Sequence, residues 1–204
     1  MDQHDDRARP QTRTLRGTCI TRTVDLANPR LIGVWKWNFE EASRRLYAVC
    51  VYAPNVLRDA YPLEELEHLK DCIAQQGHKV DRMIDWARAQ LDAAGLQAGE
   101  PGRVEPLSAD IRTPLASAYA DLFVRADLAI QLLDALWVQG ELTDAGHAER
   151  TGAMRRAPLS VLVQSSGCMR GAGRTSRRCT DNGSRGRHRR RVARLRRFGG
   201  SRAG

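Results

Sequence analysis

The sequence predicts an α+β domain, mainly α, followed by an arginine-rich tail. Two observations carry this. Apolar residues recur at helical spacing along two long stretches, 63–94 and 114–139, and again over a shorter one, 39–52. The charge divides near residue 150: residues 151–204 hold 15 Arg, no Lys and the single acid Asp181, for a net +14, while 1–150 carry −5, together the +9 of the whole chain. The basic pI therefore belongs to the tail, and the body is mildly acidic. The division expected is a short disordered leader over 1–11, a helical domain over 12–157 and a disordered basic tail over 158–204.

Residues 12–26 (TRTLRGTCITRTVDL) are rich in Thr, Val, Ile and Leu and lack Pro, so they read as a strand. Its even-numbered face carries Thr14, Arg16, Thr18 and Arg22, and its odd face Leu15 and Cys19. Ile20 and Val24 break the alternation. Asn28-Pro29 reads as a break. Asn38 with Glu41 three residues on resembles a capping box, which starts the 39–52 helix burying Phe39, Ala42, Leu46, Val49 and Cys50.

Pro62 and the acids Glu64, Glu65 and Glu67 suit the first turn of the 63–94 helix, where the dipole is positive. Its stripe is Leu66, Leu69, Ile73, Val80, Met83, Ala87 and Ala94; Gly77 weakens it by about 1 kcal/mol relative to Ala. Residues 95–102 read as a loop, and 103–111 as a second strand that Pro106 confines to an edge. Thr113-Pro114 is an N-cap followed by a first-turn proline, and Gly140 closes the helix that they open. Thr143 caps a further helical start. The two long helices are expected to pack as an antiparallel pair, Leu66, Ile73, Val80 and Met83 against Leu122, Leu133 and Leu136, with the shorter helix alongside. The two strands pair either within one chain or across a homodimer.

Chemistry is sparse. His68, Cys72 and His78 do not converge as three zinc ligands must, and His78, Asp81 and Asp85 read as an ordinary charged helix surface. Gly167–Gly173 lacks the Gly-Lys-Ser/Thr of a P-loop. No cofactor motif, nucleophile motif or small-molecule site is evident, so a non-enzyme is expected. No apolar run reaches the ~20 residues of a membrane span. Five scattered cysteines suit a reducing cytoplasm.

DNA is the partner that two features suggest. The Thr14, Arg16, Thr18 and Arg22 face has the chemistry of a ribbon that reads a major groove. The tail cluster Arg187, Arg189, Arg190, Arg191, Arg194, Arg196 and Arg197 would neutralise several phosphates. The same tail also reads as out-of-frame translation of a GC-rich gene, because helical order, Lys and acids all stop together.

Residues about 103–145 (104–143 read VEPLSADIRTPLASAYADLFVRADLAIQLLDALWVQGELT), with Asp121, Asp127 and Asp134 in the corresponding stretch, resemble the AcaB-like proteins of conjugative plasmids and integrating conjugative elements. The likeness extends over about 15–150. It implies a bacterial mobile-element protein, a regulatory or accessory factor, with DNA-binding activators of transfer genes and a ribbon-helix-helix-like element among its relatives. A helical protein–protein module without DNA binding is the alternative.

Overall fold

The computed structural model describes residues 18–57 and 63–165. It is α+β and mainly helical. The order is β1 (Ile20–Leu26), α1 (Pro29–Tyr47), a π segment (Ala48–Tyr52), α2 (Ala53–Leu57), α3 (Leu63–Ala94), β2 (Glu105–Ile111), α4 (Pro114–Val138) and α5, which covers 144–165.

α4 is the centre of the body. Twelve of its residues are buried, among them Tyr119, Phe123, Ala126, Ile130 and Leu133, and they cover every side of the axis but one flank, on which Val124 and Val138 are exposed. A helix apolar over so much of its surface must be covered on several sides. Here α1, α3, α5 and the sheet cover it. Thr113 caps it, its hydroxyl accepting from Ala116 N at 3.1 Å, and Pro114 sits in the first turn. Gly140, at φ +83°, ends the chain's course there in a conformation that favours glycine.

Three contacts set the helix directions. Arg125 reaches Asp81 at 2.9 and 3.1 Å, and Gln139 donates to the Gln97 carbonyl at 3.4 Å, so residue numbers rise together along α3 and α4. These helices are parallel, which corrects the expected antiparallel pair. The reason is β2, which carries the chain back before α4 sets off in the direction of α3. The antiparallel partner of both is α5. Its Arg150 covers Trp86 while its Met154 and Ala157 face Gln76 and Lys79. Its His147 meets Asp134, and the Pro158 carbonyl accepts from Tyr119 at 3.2 Å.

Asn28-Pro29 is a helix start rather than a break. The Asn28 side chain accepts from Arg30 N and Leu31 N at 3.1 and 3.3 Å, with Pro29 in the first turn. The Asn38–Glu41 pair therefore lies inside α1 and caps nothing, and Leu31 and Trp35 join Phe39, Ala42 and Leu46 in the core. Trp35 stacks on Phe39 at 3.8 Å, Phe39 on Tyr119 at 5.5 Å, and Phe123 meets all three edge-on. This aromatic seam joins α1 to α4.

α3 runs the full length expected. Leu69, Ile73, Val80, Ala87 and also Ile84 and Leu91 are buried, Leu66 and Met83 half-buried, and Ala94 exposed. Gly77 has a positive role: a Cβ there would stand 3.0 Å from the Arg125 guanidinium lying over it. α5 continues to 165 with Met154, Ala157, Val161 and Ser165 buried, so the body extends past 157. The leader, Pro62 and all residues from 166 lie outside the described residues.

β1 and β2 pair antiparallel within one chain, Ile20 opposite Ile111 and Leu26 opposite Glu105. Val24 and Leu26 point into the core and Thr21, Thr23 and Asp25 outward. The inward face is thus the even-numbered one, the reverse of the expected assignment.

Candidate functional site

Of the residues expected to read DNA, Thr14 and Arg16 lie outside the described residues, and Thr18 is exposed just before β1. Arg22 points the other way. Its guanidinium donates to Ser117 Oγ at 3.1 Å and pairs with the Asp121 carboxylate, closing β1 onto α4. The outward face carries instead a hydroxyl ladder, Thr23 with Ser108 at 2.9 Å and Thr21 donating to Asp110 at 3.1 Å. Asp25 and Asp110 add negative charge to it, and Arg112 stands 3.6 Å from Asp110. Carboxylates on a sheet face repel phosphates. The tail arginines Arg187, Arg189, Arg190, Arg191, Arg194, Arg196 and Arg197 lie outside the described residues.

The Arg22–Asp121 pair is partly exposed, so its contribution is modest. A double-mutant cycle with Arg22→Ala and Asp121→Ala is expected to give a coupling of about 0.5–1 kcal/mol in urea unfolding. A coupling near zero would show that the pair does not fasten β1.

The three aspartates of α4 all act as tertiary locks. Asp121 holds β1. Asp127, 2% exposed, accepts from Ala27 N at 2.9 Å, Asn28 N at 2.8 Å and the Gln131 side chain at 2.7 Å, thereby tying the β1–α1 junction to α4. Asp134 meets His147 Nε2 at 2.6 Å and holds α5. The His147 ring stacks on Trp137 at 4.9 Å, and Trp137 Nε1 donates to Asp144 at 2.6 Å. A spacing of six turns Asp121 to a different side of the helix from Asp127, and a spacing of seven sets Asp134 on the face of Asp127 but about 10 Å along it, so the three do not meet.

No group of three or more His, Cys, Asp or Glu is placed to hold a metal among the described residues. His68 and His78 are exposed, Cys72 half-buried, and Asp81 is engaged by Arg125. A cleft of about 610 Å³ opens between the β1–α1 turn, the 97–103 loop and the last turns of α4. It is large enough for a small ligand. Part of its polar lining is committed, Asn28 to the α1 cap, Gln131 to Asp127 and Asp134 to His147, while Glu100 and Arg103 are exposed.

Cys50 and Cys72 are half-buried, whereas Cys19 is exposed. Burial, opposed by Lys70, pushes the Cys50 thiol from near 9 up to about 11. An unfolded chain releases that proton near pH 9 while the folded chain holds it to about 11. Cys50 therefore contributes stability that is complete below about pH 9 and lost as pH rises through 11. Burial pushes the Tyr119 phenol up as well, which acts in the same direction. A urea midpoint that falls between about pH 8 and pH 11, and that falls less in Cys50→Ser, checks this. Alkylation mapped on peptides should modify Cys19 well before Cys50.

The body is a mainly helical scaffold around one central helix. No family model and no curated protein matches the chain. Among solved structures it is similar to AcaB from uropathogenic E. coli, with a TM-score of 0.72 and 14% identity, over 83% of this chain and 87% of that one. The fold is AcaB-like. No helix among the described residues is long and apolar enough to cross a membrane.

Proposed function

We propose that this chain is a non-enzymatic regulatory or accessory protein of a bacterial mobile element, belonging with the AcaB-like proteins and acting on DNA. The observation that supports it is the AcaB-like fold over 83% of the chain, on the residues 103–145 that carry the sequence resemblance.

Anisotropy titration of the full chain against a labelled duplex, at rising salt, tests the DNA reading. Binding at low salt that weakens steeply as salt rises supports it. Absence of binding at the lowest salt rejects it.

A second reading, a protein–protein module, is favoured by Trp37, which stands 86% exposed on α1. Exposed tryptophans are frequent anchors of protein interfaces. Light scattering of the full chain and its Trp37→Ala variant separates the readings: a complex or dimer that Trp37→Ala disperses, without DNA affinity, favours the module.

A further inference from the structure

Cations on most of the body are neutralised. Arg22, Lys36, Arg44, Arg45, Lys70 and Arg125 each pair with a carboxylate. Among the described residues most of the exceptions are gathered in one place, with Arg88 and Arg103 lying apart from it. Lys79 and Arg82 of α3 line a groove of about 330 Å³ whose other wall is Ala153, Met154 and Ala157 of α5. Beside it, Arg150 lies on the Trp86 ring, 4.0 Å from its centre. One turn on, Thr151 holds Arg155 through its carbonyl at 3.1 Å and its hydroxyl at 2.8 Å. Arg156 is exposed and extends over Gly152, where a Cβ would stand 3.4 Å from its guanidinium.

Arg30, exposed in the first turn of α1, closes the far side of the band. Burial lowers the Arg155 pKa, and the nearby charges of Arg30 and Arg156 lower it further, against the pull of Asp134. None of these six cations has an ion pair with a carboxylate among the described residues. Of the nearby acids, Asp81 is held by Arg125 and Asp134 by His147. Asp85 and Glu149 are the exposed acids of this stretch. Like charges so crowded repel one another, and an external polyanion relieves that repulsion.

We propose that this band, running from Lys79 and Arg82 across Arg156 and Arg155 to Arg30, receives the phosphate backbone of a nucleic-acid duplex. It rests on the reading of the chain as DNA-binding and places the contact on the α3–α5 face instead of the ribbon. Two features favour nucleic acid over an acidic protein. Five of the six cations are arginines, whose planar fork matches phosphate oxygens. In sequence, α5 leads directly into residues 166–204, which carry 13 Arg and one acid.

The chain contains three lysines, Lys36, Lys70 and Lys79, so lysine acetylation is a footprint with internal controls. With the full chain and a short mixed-sequence duplex at low salt, Lys79 should acetylate several-fold more slowly, while Lys36 and Lys70 are unchanged. In parallel, Lys79→Gln with Arg82→Gln should reduce the slope of log K against log salt by about 2, one for each phosphate that the variant no longer neutralises. Duplex binding without Lys79 protection and with an unchanged slope overturns the band and leaves the DNA reading standing. No duplex binding overturns both. Protection by polyglutamate but not by duplex overturns it in favour of an acidic protein partner.

Discussion

Asp127→Ala is expected to lower the unfolding free energy by about 3 kcal/mol or more. The carboxylate is 2% exposed and accepts from two backbone N–H groups and one side-chain amide. Removing it leaves those donors buried or half-buried without partners, and each orphan costs roughly 1–3 kcal/mol. Asp127→Asn keeps one acceptor but turns an amide N–H toward a backbone N–H. It should recover only part of the loss. Urea unfolding of the three proteins checks both statements. A loss under about 1 kcal/mol in Asp127→Ala would mean that water replaces the carboxylate at the junction.

Phe39→Ala should cost about 3–5 kcal/mol, the range for emptying a buried phenylalanine site. Phe39 is 2% exposed and stacked between Trp35 and Tyr119, with Phe123 edge-on. Those three rings are held by two rigid helices and cannot collapse into the space. Domains of this size have about 5–15 kcal/mol in total, so the variant should lie near its unfolding midpoint well below the wild-type temperature. Phe39→Leu, which refills most of the volume, should restore most of the stability. Equal losses in the two variants would contradict a packing origin.

Both effects trace to features of differing legibility. Phe39 is visible in the sequence as an apolar position on a helix. Asp127 is not visible as a cap, because its partners Ala27 and Asn28 are a hundred residues away and a carboxylate on an apolar helix has no periodic signature. Local chemistry read well at Thr113-Pro114 and misled at Asn28-Pro29, although the two dipeptides do the same work. The first is followed at once by an apolar period. The second is followed by LIGVWKW, whose near-continuous apolar run hides the helical face.

Periodicity identifies a face but carries no direction, so the stripes of α3 and α4 could not show that the helices run parallel. That depended on the 105–111 segment acting as a return strand. In the sequence of 12–26, Leu15 and Cys19 favoured one face and Ile20 and Val24 the other; burial of Val24 and Leu26 in β1 decides it and sends Arg22 inward. The end of α5 was obscured by Pro158. Ala157, Val161 and Ser165 nonetheless hold a four-residue spacing into the core, and Pro158 itself supplies the carbonyl that Tyr119 binds. The cationic band was invisible for a related reason: α5 must pack on α3 to bring its arginines beside Lys79 and Arg82, and Arg155 must come near Arg30 of α1.

Hydrogen exchange of the full chain, read by mass spectrometry, addresses the arrangement on which all of this stands: a buried α4 enclosed by α1, α3 and an α5 that continues to residue 165. The slowest amides should lie in α4, around Phe123 to Leu133, with 144–165 protected through its last turn and the β1–α1 junction loosened in Asp127→Ala. Exchange of residues 158–165 at the rate of open chain, or an α4 no slower than the exposed start of α3, would contradict it.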